Sequence, residues 1–126
     1  MLKDKDSSAI VAVSDLDRAR TFYSETLGLD LIEDEMEDVL LYRTGDTQLG
    51  VYRSKFAGTN KANAVVWGVG DEIDAITADL EAKGVAFEHY PDMEGVELQG
   101  NIHVAGEMKM VWFKDPDGNI LHLHNM

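Results

Sequence analysis

Strand, helix and three strands follow one another twice along the chain, and this repeat limits the fold more than any other feature. The first pass opens with the strand-like segment 8–15. Ser14, followed three residues later by Asp17, has the look of a helix start. Leu16, Ala19, Phe22, Tyr23 and Leu27 then recur at helical spacing, and Gly28 stands where a helix end needs positive φ. Segment 29–34 reads as a strand, and 39–53 as a hairpin around Thr44-Gly45-Asp46. The second pass repeats the order. A strand at 63–71 leads to Asp71, which can cap a helix carrying Ile73, Ile76 and Leu80 on one face and closed by Gly84. A strand at 85–90 and a hairpin at 108–124 complete it. Asp15 to Gly28 and Asp71 to Gly84 span the same 13 residues. The polar segment 54–61 is the joint between the copies, and 91–107 is an insertion long enough to act as a binding loop or lid.

This pattern predicts an α+β fold of two βαβββ modules, 7–56 and 61–126, within one domain of 126 residues. One helix covers one face of each sheet and leaves the other open. Two open faces turned toward each other make an incomplete barrel around a shared cavity, with the helices outside. The halves can come from one chain or from two, and a homodimer is expected.

Composition narrows the partners. With 24 acidic and 11 basic residues, the net charge of −13 repels phosphate backbones, so nucleic acid is not an expected partner. No apolar run reaches the length of a membrane span, and the N-terminal residues lack the apolar segment of a signal peptide. The absence of cysteine removes disulfides and thiolate metal sites. A cytoplasmic protein with a small-molecule ligand is the expectation.

The turn Asp115-Pro116-Asp117-Gly118 organises the second hairpin. A four-residue turn there sets Val111 opposite His122 and Phe113 opposite Ile120. Met110, Trp112, Leu121 and Leu123 would then share an apolar face under the helix. Lys109, Val111, Phe113, Ile120, His122 and His124 would look into the cavity. His122 is the candidate acid–base group. His103, on the 91–107 insertion, reads first as a surface loop histidine and otherwise as a second candidate that closes over a ligand as acid or base. His124, two residues from the C-terminus, reads first as solvated tail and otherwise as a group at the cavity rim; His89 carries no assigned role.

The stretches "VSDLDRARTFYSETLGLDL" (13–31) and "FKDPDGNILHL" (113–123) together resemble the vicinal oxygen chelate superfamily, the glyoxalase, bleomycin resistance and extradiol dioxygenase group. The resemblance implies the paired βαβββ fold, a small-molecule pocket and, in many members, a divalent metal held by one ligand from each of several inner strands. The positions it implies for these ligands are Ser8, a residue between Gln48 and Val51, Ala64 and His122. Only His122, and weakly Gln48, can coordinate. The sequence therefore departs from the family's metal pattern, and no cofactor is expected, although a divalent metal stays open. Ser8, Ala64, Val111, Phe113, Ile120, His122 and His124 are the expected pocket residues. Two functions follow: a metal-free small-molecule-binding protein, or a lyase, isomerase or dioxygenase using a relocated metal or His122.

Overall fold

The computed structural model describes residues 1–126 and divides into two units, Met1–Thr59 and Asn60–Met126.

In the first unit, β1 (Ala9–Val13), β2 (Asp30–Glu33), β3 (Val39–Thr44) and β4 (Thr47–Arg53) form one sheet in the order β1-β4-β3-β2. β1 runs parallel to β4, and the other pairings are antiparallel. The β3–β4 turn closes on Gly45, whose φ of +56 suits glycine. Helix α1 (Leu16–Arg20) continues as a π-helical stretch, Thr21–Thr26. Its cap is Asp15, one residue beyond the expected Ser14: the Asp15 carboxylate accepts from the backbone N–H of Asp17 and Arg18. A carboxylate serves there because it meets two free amides and the positive helix end together. Gly28 ends the helix at φ +72, as its position predicts.

Strand alternation sorts the first sheet into two faces. Val11, Val13, Leu40, Tyr42, Leu49 and Val51 are buried on one. The helix covers that face, because Tyr23 packs 6.0 Å from Tyr42 and Ser24 shares a 2.9 Å hydrogen bond with the Tyr42 hydroxyl. Ile10, Gln48 and Gly50 point the other way, and Ile10 is 62% exposed. Gly50 lies beside Ile10, and a Cβ there would come within 3.4 Å of Ile10 Cγ1, close to ordinary contact.

The second unit has β5 (Asn63–Gly68), α2 (Ile73–Ala82), β6 (Ala86–Glu88), β7 (Glu97–Gln99), β8 (Ile102–Ala105), β9 (Met108–Lys114) and β10 (Ile120–His124). Its sheet runs β5-β10-β9-β8-β7, and β6 pairs with β9 beside β8. Without β7 and β8, its order matches the first sheet, which is the repeat seen in the sequence. The 91–107 insertion is therefore largely a β-hairpin and not a loop: β7 and β8 pair with each other, and β8 extends the ladder of β9. Helix α2 starts through a short 3-10 turn at Gly70–Glu72 and has no side-chain cap, so Asp71 does not play the expected part. It buries Ile73, Thr77 and Leu80.

The register of the β9–β10 hairpin corrects the sequence expectation. Lys114 pairs with Ile120, Phe113 with Leu121, Trp112 with His122, Val111 with Leu123 and Met110 with His124. The connection thus holds five residues, 115–119, not four. Asp115 is the reason. Its carboxylate, 4% exposed, accepts from the Asp117 and Asn119 backbone amides at 3.0 and 2.9 Å and from Asn119 Nδ2 at 2.8 Å. The Asp115 amide in turn donates to the Asn119 carbonyl, and Gly118 takes φ +90. The side chain does the work of a longer turn, and Asn119 belongs to it.

One extra turn residue exchanges the faces of β9. Val111 and Phe113, expected in the cavity, lie with Leu121 and Leu123 on the helix side, all four buried. Lys109 shares that side, and its ion pair to Asp74 of α2, at 2.8 Å, marks the helix as the cover. Met110 and Trp112, expected under the helix, share the opposite face with Ile120, His122 and His124.

Candidate functional site

The open face of the second sheet gathers rings. Trp112 and His122, opposite each other on β9 and β10, stand as a parallel stack with centroids 4.5 Å apart and planes 16° from parallel. The spacing is close to that of the strands themselves, so pairing alone brings the rings into contact. Tyr90 and His103 meet Trp112 edge-on at 5.2 and 4.9 Å. Met110, Trp112 and Ile120 form the buried base, with Tyr90, Val96, Ala105 and Met108 packed against it. The segment from Tyr90 to Val96 thus covers one end of the face. On the other side of His122, β5 places Val66, which is 54% exposed.

His122 is fixed twice, by the Trp112 stack and by a 3.1 Å bond between its Nδ1 and the Val111 carbonyl. A carbonyl only accepts, so Nδ1 carries the proton and Nε2 keeps its lone pair. Burial pushes the His122 pKa below that of an ordinary histidine. The Val111 carbonyl opposes this shift, and His124 and His103 reinforce it. At neutral pH the ring is a neutral acceptor aimed away from its own backbone.

His124 is not solvated tail. It is the last residue of β10, half-buried, with its ring 5.8 Å from His122 and its Nδ1 accepting from the Met126 amide at 3.2 Å. Gly68 makes room for it, because a Cβ there would lie 3.1 Å from His124 Cε1. Asn125 then ties the chain end down through hydrogen bonds with Lys109 and Glu107.

His103 departs furthest from expectation. It sits on β8 rather than on a mobile loop, and it is 0% exposed. Its Nε2 accepts the Tyr90 amide at 2.8 Å. That amide lies two residues past the end of β6, and the His103 ring gives it an acceptor where no ladder pairing is formed. A ligand arriving from solvent does not reach the ring. His89, to which no role was assigned, bonds Asn101 Oδ1 through Nε2 at 2.7 Å.

Trp112 and Tyr90 are the site residues that sequence reasoning missed. The signal was Asn119: an Asp and an Asn four residues apart, flanking Pro-Asp-Gly, lengthen the turn and move Trp112 to the side of His122.

The family's metal positions divide between the units. In the first, Ser8 immediately precedes β1, and Gln48 lies on β4, the strand that pairs with β1. In the second, Ala64 lies at a bulge in the β5–β10 ladder, near His122. The four supply one hydroxyl, one amide, one methyl and one imidazole. No group of three or more His, Cys, Asp or Glu side chains is placed to hold a metal ion. A transition-metal site takes three or four protein donors, commonly imidazole or carboxylate, so this set does not fit one.

The acidic run 33–38 forms a turn after β2, where Asp38 adopts φ +64 and its carboxylate pairs with Arg53 at 3.0 Å. It is a structural turn whose side chains are exposed or partly exposed.

Comparison with solved structures finds the same fold. A fosfomycin resistance protein, FosX, from Listeria monocytogenes (hexagonal form) superposes with a TM-score of 0.73 at 17% identity, covering 96% of this chain and 92% of its own. A glyoxalase family protein from Enterococcus faecalis gives 0.72 at 20% identity, with 98% and 99% covered. A lactoylglutathione lyase from Agrobacterium tumefaciens gives 0.70 at 18% identity, with 96% and 92% covered. At these identities the likeness speaks for the fold alone. No curated protein gives a significant match. The family model for Glyoxalase/Bleomycin resistance protein/Dioxygenase matches residues 7–123, which takes in both copies of the repeat and the Asp115–Asn119 turn. With strand order, repeat and turn chemistry in agreement, the chain belongs to the Glyoxalase/Bleomycin resistance protein/Dioxygenase superfamily.

Proposed function

We propose that the chain binds a small molecule against the open face of the second sheet, at His122, without a protein-held metal. The observation that carries this reading is the state of His122: locked in one tautomer by the Val111 carbonyl, braced by Trp112 and left with a free Nε2 acceptor. Such a group suits a ligand bearing an N–H or O–H donor. Exposed Val66 beside it offers an apolar floor for a flat molecule. Lys114, the cation at the Ile120 end of the face, is paired with Glu88 at 2.9 Å, which disfavours anionic ligands there. Ser8 and Ala64, where the family places ligands to metal, support the metal-free form.

The test uses protein purified without chelators. Metal content should fall well below one equivalent per chain. A fragment set of uncharged planar heteroaromatics with N–H or O–H donors, screened by ligand-observed NMR, should yield saturable binders unaffected by EDTA. Their affinity should drop by roughly tenfold or more in His122→Ala, the scale of one lost buried hydrogen bond and ring contact. Stoichiometric metal that disappears in His122→Ala, or binders indifferent to that substitution, would overturn the proposal.

The neutral Nε2 also supports a second reading, in which His122 is the general base of a metal-free lyase or isomerase. A base works best when its pKa lies near the working pH, and the depressed pKa of His122 keeps it unprotonated. Turnover that follows the deprotonated fraction of His122 would favour this reading over simple binding.

The same proposal places the protein in the cytoplasm, consistent with the absence of cysteine, and assembles it as a homodimer. Ile10, exposed on the open face of the first sheet, is apolar surface that association would cover. Light scattering at micromolar concentration should give the mass of two chains; a stable monomer would contradict it.

A further inference from the structure

We propose that His103 is an acid-sensitive latch: its neutral ring holds the β7–β8 hairpin to the chain at Tyr90, and protonation releases that junction. The geometry sets the rule. β8 and β6 lie end to end along the same edge of β9, β8 on Met108–Met110 and β6 on Trp112–Lys114. Across the gap between them the bond from the Tyr90 amide to His103 Nε2, at 2.8 Å, is a direct tie. An imidazole nitrogen accepts a hydrogen bond only while it carries no proton. Protonating Nε2 would set two donors against each other in a space with no solvent, since His103 is 0% exposed.

Apart from the Met110 carbonyl, the surroundings give an imidazolium little in return. Rings face it from two neighbouring segments: His89 at 6.3 Å and Tyr90 at 5.9 Å from the segment after β6, and Trp112 at 4.9 Å from β9, with His122 of β10 beyond Trp112. β7 opposes it with Leu98. The charged side chains nearby are committed elsewhere, Glu88 to Lys114 and Lys109 to Asp74. The other ring nitrogen, Nδ1, makes no hydrogen bond of good geometry. Burial depresses the His103 pKa most, His89 adds to the effect, and only the Met110 carbonyl opposes it.

The sign of the pH dependence follows. A histidine whose folded pKa lies below its unfolded value of about 6.5 contributes stability that is full above that value. The contribution is lost as pH falls through the unfolded pKa toward the folded one. Here the loss is local: Tyr90 and Val96, packed over the Met110–Trp112–Ile120 base, are freed together with β7 and β8. That segment covers one end of the face on which His122 stands.

Amide hydrogen exchange followed by NMR on the full chain, corrected for the intrinsic pH dependence of exchange, tests the latch. In the wild type, the Tyr90 protection factor should fall at least tenfold between pH 7.5 and 5, together with amides of β7 and β8. Amides of β1, β3 and β4 should hold theirs. His103→Gln, which keeps an accepting oxygen but does not titrate, should leave Tyr90 protection flat over that range. His103→Phe should expose the Tyr90 amide at every pH. A wild-type Tyr90 protection factor that does not change while the His103 ring titrates would overturn the proposal. So would a pH-dependent loss that persists in His103→Gln.

Discussion

Phe113→Ala should lower the unfolding free energy by about 3–5 kcal/mol, the usual cost of removing a buried aromatic ring. Phe113 is buried on the helix side of β9, opposite Leu121 and 6.2 Å from Phe87 on β6. The ring fills space between strands and helix, and alanine would leave a cavity that the paired strands cannot collapse into. Urea unfolding is the measurement, with the midpoint shifting and the slope unchanged. Leu121→Ala, on the same face, should cost about 2–5 kcal/mol. The pair discriminates between registers. With a four-residue turn, Phe113 would line the ligand face, and its truncation would weaken binding while sparing the fold. A change under about 1 kcal/mol for Phe113→Ala would restore that register and return Trp112 to the core side.

Asp115→Ala should cost about 3 kcal/mol. The buried carboxylate accepts three hydrogen bonds, two of them from Asn119. Removing it takes an acceptor from the Asn119 amide, Asn119 Nδ2 and the Asp117 amide in a site only 4% exposed, and losing hydrogen bonds to a buried charged acceptor costs about 1–3 kcal/mol each. Asp115→Asn should fall between, because its one oxygen keeps some of these bonds while its amide group cannot accept. The larger consequence is geometric. The five-residue connection depends on this side chain, so the substitution should also disturb the Trp112–His122 stack. Trp112 fluorescence, read in a Trp67→Phe background, should change in Asp115→Ala and stay near the parent in Asp115→Asn. An unaltered midpoint and spectrum in Asp115→Ala would mean that the backbone alone sets the turn, and the explanation offered for the register would fail.

The Asp-Pro-Asp-Gly-Asn motif is therefore architecture, though it ends three residues before His122. It lies in one of the two stretches that most resemble the superfamily, yet its buried side chains bond one another within the turn. It fixes which residues of β9 stand beside His122.

What the sequence determined by itself was whatever local periodicity and turn chemistry can express. Apolar spacing located both helices and the main strands, since alternation by two and by three to four residues survives without any partner. Gly28, Gly45 and Gly84 marked chain reversals, because each needs positive φ. The equal spacing of Asp15–Gly28 and Asp71–Gly84 revealed the repeat, and the face of His122 on β10 followed from alternation within its own strand. Pairing between strands was the first point that locality could not decide. One turn residue more or fewer leaves every strand pattern intact and exchanges Val111 and Phe113 for Met110 and Trp112 at the site. Only the packed structure chose, through a buried carboxylate satisfied by three donors. The fate of His103 was the second. Its segment is polar and rich in glycine, so it reads as a loop. In the fold it pairs with β9, and the Tyr90 amide, left without a strand partner, finds His103 Nε2 thirteen residues away. Burial and hydrogen-bond completion are properties of neighbours distant in sequence, and they turned an expected surface histidine into the most enclosed one in the chain.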